Sequence, residues 1–426
     1  MKIDISFLHF LLAFLLTSIG SLPATEADPE HFYGRRIEGI EVRGNERSLD
    51  STVLRISELE VGDIVREENV SGALLKLEKS DLFSEVAIHV EPESSEADSV
   101  CLVIYAEDKW TFIPVPFFMS DGESSMGGLV VVESNLFGTG KQIVTGGMAG
   151  SDGLFGFAAF VDPSFLQSSW RLNSSFNGGR RVNEIHTPDN KKALSFTDNT
   201  VGASLGFTYR FTDTLSAGFK TTMEQHEISD IQSPSDSMEE KSLREGIGES
   251  VLEISLLFNY DGTVPYGSLQ QGFMFLSEAS YVYEYHSPVV DGRLIFNIPS
   301  FADGRVRLLA LGGYGERPLV SEKPISGQDG FRTLPFGKVS ADDYWSLAAA
   351  YEWPVYTQSW GSLVFTTIFE HGWYRSSEVG DFFFSGPGAG FRIYLQRIAI
   401  PALGLNVAYN LREERTVFSV AIGMQM

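Results

Sequence analysis

The chain has 426 residues, 56 acidic against 32 basic, and its formal charge of -24 excludes a partner bound through nucleic-acid phosphates. The single cysteine, Cys101, excludes an intrachain disulfide and a cysteine-ligated zinc site, and reads as a small buried strand residue. Abundant glycine (42) together with 12% aromatic residues suits an all-β chain with many turns or an aromatic-girdled barrel.

The N-terminus, MKIDISFLHFLLAFLLTSIGSLPATEA, has Lys2, an apolar run over 7–16 and small residues near Ala24 and Ala27. Residues 1–27 are therefore expected to be a secretory signal peptide, too short to make a good membrane anchor. No cysteine follows the apolar run, so a lipoprotein is not expected. Beyond it no window approaches the eighteen apolar residues of a spanning helix. The mature chain is then either soluble outside the cytoplasm or a membrane barrel.

Residues 35–108 read as a small α/β module of order β-α-α-β-β. IEGIEVRG carries Ile37, Ile40 and Val42 as a strand, and Gly44-Asn45 supplies a turn. Val53, Leu54, Ile56 and Leu59 fall near helical spacing, as do Val70, Leu74, Leu77 and Leu82 in a second helix over 66–83. Two strands close the module, at 84–91 and 99–107.

From Lys109 onward the period becomes two. In VGASLGFTYRF, Val201, Ala203, Leu205, Phe207, Tyr209 and Phe211 alternate with Gly202, Ser204, Gly206, Thr208 and Arg210. LSAGFKTTME and LEISLLFNY repeat the pattern. A β-sandwich alternates in the same way, and loop lengths separate the two. Sixteen antiparallel strands are expected to begin near 110, 126, 141, 154, 168, 200, 214, 250, 269, 288, 304, 344, 361, 385, 401 and 414. Every second connection is then short (FGTG, DPSFLQ, TDT, DGTVPYG, SFADG, YTQS, QRIAI). The long ones, 180–199, 227–249 and 316–343, all fall on the opposite side. That asymmetry predicts a transmembrane barrel over 109–426, with short turns in the periplasm and long loops outside.

IEGIEVRGN, LEVGD and LEKSDLFSEVAIHVEP resemble the POTRA domain, the periplasmic module that precedes outer-membrane assembly barrels. The resemblance implies that the edge strand, with Ser84, Val86, Ala87, Ile88 and Val90, receives extended client segments by β-augmentation. The plain alternative is a spacer that sets the barrel's height. ESNLFGTGKQIV, FVDPSF, NYDGTVPYGSLQQG, SGPGAGFRIYL and the closing FSVAIGMQM resemble the BamA/TamA-type superfamily of outer-membrane insertases and translocases. GTGK within the first of these is no phosphate loop, because Asn135 stands where the Walker spacing needs glycine. No catalytic serine, acidic pair or histidine cluster assembles, so no catalysis, cofactor or metal is expected.

The stretch SGQDGFRTLPFG sets Arg332 among apolar residues in a loop. The same resemblance implies that Gly330, Phe331, Arg332, Pro335, Phe336 and Gly337 form a loop tip folded into the lumen. There the arginine meets an acidic residue, Glu370, in a motif completed by Gly372. Thr333 and Leu334 depart from the family's Gly-Tyr, and Ala350, Glu352 and Pro354 stand where the family has Glu-x-Arg-x-Pro, which reverses a charge. In WTFIPVPFF, Pro114 and Pro116 remove two donors from one edge of the first barrel strand. If that edge faces the last strand, with Phe418 and Gly423, the barrel has a weak lateral seam. Met426 ends the chain where the family has an aromatic residue.

The expected function is outer-membrane protein insertion or polypeptide translocation, with release through the seam. The expected partners are unfolded client polypeptides and the outer-membrane bilayer of a Gram-negative-type bacterium. Periplasmic chaperones or accessory lipoproteins would be further ones. The rival readings are a two-partner-type pore that exports a polypeptide through the lumen, a passive channel with a structural POTRA, and a soluble two-domain β protein.

Overall fold

The computed structural model describes residues 29–91, 99–120, 125–151, 153–186, 192–232, 250–267, 269–318, 320, 325, 329–334, 339–341, 343–358, 360–376, 380–395 and 403–422. The expected signal peptide, Pro335, Phe336, Gly337, Gly423 and Met426 lie outside the described residues. The chain divides into two compact units, the first ending chiefly at Lys109 and the second beginning at Trp110.

The first unit is a three-stranded sheet in the order β1-β3-β2, from β1 (Arg36–Arg43), β2 (Phe83–Glu91) and β3 (Ser99–Asp108). β1 runs parallel to β3, and β2 antiparallel. Two helices, α1 (Asp50–Ser57) and α2 (Glu67–Lys79), separate β1 from β2. α2 begins with Glu67 and Glu68 and ends with Lys76 and Lys79, charges that oppose the helix dipole at each end. It buries Val70, Ala73 and Leu77 at helical spacing against Val53, Ile88, Leu102 and Ile104. The second helix is shorter than the sequence suggested, since it stops at Lys79 and Phe83 already belongs to β2. The outer side of β1 is covered: Ile37 N–H donates to Asp63 C=O (2.8 Å), and Gly62 N–H to Ile37 C=O (2.8 Å). β2 forms the other edge, with β3 as its strand partner.

The second unit is a circular antiparallel sheet. Its strands are β4 (Phe112–Ser120), β5 (Ser125–Leu136), β6 (Lys141–Gly150), β7 (Gly153–Asp162), β8 (Trp170–His186), β9 (Lys192–Arg210), β10 (Leu215–Gln232), β11 (Ser250–Asp261) and β12 (Val264–Tyr266). They continue as β13 (Leu269–Val282), β14 (Ser287–Pro299), β15 (Arg305–Tyr314), β16 (Asp343–Gln358), β17 (Gly361–Ser376), β18 (Gly380–Leu395), β19 (Leu403–Asn410) and β20 (Arg415–Ile422). Neighbours in space follow chain order, and β20 lies beside β4. The sixteen expected strands are all present, and the three-residue β12 is additional. It sits inside the expected DGTVPYG turn and pairs with β13 over Val264–Tyr266. One expected loop is largely strand instead, and a second begins with strand. Arg181 pairs with Asp198 and Asn183 with Phe196, so β8 and β9 run on through much of 180–199, and β10 continues to Gln232. Polar residues satisfy a ladder as well as apolar ones do, which keeps these strands paired after the apolar alternation fades.

Alternation decides which face looks outward. Val201, Leu205, Phe219, Met223, Leu256 and Phe258 are exposed on the barrel exterior, whereas Thr208 and Ser255 face inward and are buried. Rings cluster at the short-turn end of this belt: Trp170 on Tyr209 (5.1 Å), Tyr209 on Phe211 (5.1 Å), and Phe273 between Tyr260 (5.4 Å) and Phe296 (4.9 Å). An apolar exterior bordered by aromatics belongs in hydrocarbon with its rim at the headgroups.

Candidate functional site

The connection from β15 to β16 folds back into the barrel. It leaves β15 at Tyr314, yet its tip meets Arg307, seven residues back along that strand, or roughly 23 Å at about 3.3 Å per residue. The tip therefore sits deep in the lumen, near the short-turn end of this wall.

Apolar packing accounts for the unusual composition of the loop. Phe331 and Leu334 are buried in a cluster with Ile325, Ala341, Tyr344, Tyr374 and Phe384. The Phe331 ring meets Tyr344 edge-on at 5.6 Å and Phe384 at 5.3 Å. Two glycines make room. Gly330 has φ +87, and a Cβ there would stand 2.7 Å from Leu311. A Cβ at Gly372 would stand 2.5 Å from the Phe384 ring, so Gly372 clears the space in which Phe384 reaches Phe331.

The polar half differs from the expected ion pair between Arg332 and Glu370. Glu370 is fully buried on β17 and accepts the loop's backbone N–H groups, from Gly330 (3.1 Å) and Thr333 (3.2 Å), one on each carboxylate oxygen. Arg332 turns to Asp329, three residues earlier in its own loop. The physical reason is proximity: both Glu370 oxygens are engaged by backbone, and Asp329 offers a nearer carboxylate. Asp329 was not singled out by the sequence reading, yet it joins the loop to two walls, through Arg307 Nη1 of β15 (2.8 Å) and Arg392 Nη2 of β18 (3.5 Å). Arg392 Nη1 donates in turn to Glu352 (2.9 Å), which also accepts from Arg305 Nε. The charge reversal at Glu352 is thus met by arginines on both sides. Ser346 Oγ donates to Gly330 C=O, and Asn410 Nδ2 to Thr333 C=O (3.4 Å), adding β16 and β19 to the anchor.

The first barrel strand carries the second feature. Ser134 N–H donates to Thr111 C=O (3.2 Å), and the register continues Phe112 with Glu133, Ile113 with Val132 and Pro114 with Val131. Bonded pairs alternate in an antiparallel ladder, so Ile113 and Val115 turn their backbone groups to β5, while Pro114 and Pro116 turn theirs away. The strand on that side is β20. Both missing donors therefore face the junction of first and last strands. Phe418 of β20 is exposed on the exterior.

In the first unit, Ser84, Val86 and Ala87 of the edge strand are partly exposed, while Ile88 and Val90 belong to the core. Among the described residues no group of three or more His, Cys, Asp or Glu is placed to hold a metal ion.

A membrane-type barrel whose long loop is anchored inside its own lumen is the class these features define. Residues 135–286 match the Omp85 superfamily domain. The chain is similar in fold to BamA from Haemophilus ducreyi lacking POTRA domains 1-3 (12% identity, TM-score 0.56, 91% of this chain and 85% of that one). It is likewise similar to CdiB from Acinetobacter baumannii (14%, TM-score 0.60, 91% and 74%) and to CdiB from Escherichia coli (12%, TM-score 0.61, 93% and 77%). No curated protein matches the chain in sequence. The Omp85 superfamily match over 135–286 falls within the barrel, and the fold is similar to that of the BamA and CdiB barrels, in keeping with the resemblance its motifs carry.

Proposed function

We propose that the chain is an outer-membrane factor that inserts or translocates client polypeptides without catalysis. In this reading residues 35–108 are a POTRA module in the periplasm and 109–426 the barrel. β2 pairs with extended client segments, and the junction of β4 with β20 opens laterally. The observation that carries the reading is the donor-poor edge that Pro114 and Pro116 present to β20. Each missing N–H leaves an acceptor on the partner strand that lipid does not satisfy, so this junction separates at lower cost than any fully bonded pair. The edge strand β2 supports client capture, because one side of it has no strand partner among the described residues.

The test is a lock across that junction. In a background where Cys101 is replaced by serine, cysteine pairs are scanned between 112–116 and 415–418. A pair that crosslinks is expected to abolish client insertion, with recovery on reduction. A crosslinked barrel that keeps full activity refutes lateral release and favours export through the lumen.

A further inference from the structure

Among the described residues, the anchor beneath the loop tip holds more cation than anion. Arg305, Arg307, Arg332 and Arg392 are all buried, against three buried carboxylates, Asp329, Glu352 and Glu370. Glu370 already serves backbone N–H groups. Arginine does not shed its proton in proteins, so the surplus positive charge is not relieved by titration. A buried charge without a partner is costly, and something must compensate it.

The same place contains a small cavity, about 10 Å³, lined by Arg307, Asp329, Arg332, Glu352 and Arg392 among others. Three of its arginines each keep a buried nitrogen without a hydrogen-bond partner: Nε of Arg307, Nη1 of Arg332 and Nε of Arg392. Three arginines that each keep an unused donor thus line one void. Asp329 Oδ2 also lacks a hydrogen bond, although Arg307 Nη1 stands 2.8 Å away as its ion-pair partner.

We propose that this cavity binds a single halide ion, chloride under physiological conditions. Its volume is about that of one water-sized particle, so a phosphate or carboxylate group is excluded, while a halide, somewhat larger than water, enters with a small outward shift of the arginine side chains. A water fits the volume and would serve Asp329, but it leaves the net charge where it was. A halide accepts from the three guanidinium groups and removes the surplus. It would then act as a further anchor of the loop, joining β15, β18 and the tip through one ion.

The test uses the full protein in detergent at fixed ionic strength, with gluconate exchanged stepwise for chloride or bromide. The expected result is a saturable rise of a few degrees in the temperature at which gel mobility changes, since a ligand of the folded state alone stabilises it. Arg307→Gln, which removes the surplus charge and one donor, should abolish the dependence. Should that variant fail to fold, crystals of the unaltered protein grown in bromide give an independent reading, a single anomalous peak among Arg307, Arg332 and Arg392. A midpoint indifferent to halide, a dependence that survives Arg307→Gln, or bromide crystals with no such peak overturns the proposal and leaves the cavity to water.

Discussion

Asp329 carries the polar side of the loop anchor, since Arg332, Arg307 and Arg392 all converge on it. Asp329→Ala removes the carboxylate that three buried guanidinium groups share, leaving Arg332 and Arg307 without their ion-pair partner while Arg392 keeps Glu352, and breaking a buried pair from one side costs about 3–5 kcal/mol. The expected outcome is faster proteolysis of the loop and a clearly lower heat-modification midpoint. Double-mutant cycles distinguish this arrangement from the pairing the family resemblance implied. Asp329 with Arg332 should show strong coupling, Arg332 with Glu370 weak coupling, and a swap of charge between 332 and 370 should recover nothing. A rescued swap would mean that those two side chains meet directly. The motif made Arg332, Glu370 and Gly372 legible in the sequence, but not their partners. A motif carries residue types and spacing, whereas the partner depends on which carboxylate has an oxygen to spare. Two signals were nonetheless present: the acid three residues before Arg332, and the pair Arg305 and Arg307, spaced to share the inward face of an otherwise apolar strand.

At the scale of elements, alternation revealed nearly every barrel strand, because each must show hydrocarbon on one face and tolerate polar groups on the other. It failed where that demand ends. Beyond the apolar belt β8, β9 and β10 keep their hydrogen bonds but lose their pattern, so 180–199 looked like a loop. β12 was hidden for the opposite reason, being only three residues long and containing Pro265. The prolines of β4, in contrast, were legible as a pair, and the register adds which neighbour lacks their donors. Pro114→Val with Pro116→Val restores two N–H groups to that edge. At about 0.5–1.5 kcal/mol net for each hydrogen bond gained, the double variant should unfold at a higher temperature and insert clients more slowly. Higher stability with unchanged insertion would show that the junction is not where activity is limited.

For the molecule as a whole, the tip of the loop gathers its polar anchors at one point: they fall within the six residues 329–334 and reach β15, β16, β17, β18 and β19. Contacts gathered so closely share partners, and loss of one weakens the others, so the tip is expected to leave its seat as a unit. The barrel then behaves electrically as a switch. In planar bilayers a single molecule should step between a nearly closed level and one open level, with few dwell times between. Asp329→Ala should lengthen the open intervals without changing the height of the step, because it alters how often the tip is seated and not the width of the passage it vacates. A conductance that drifts through many intermediate levels would mean that the loop peels away contact by contact.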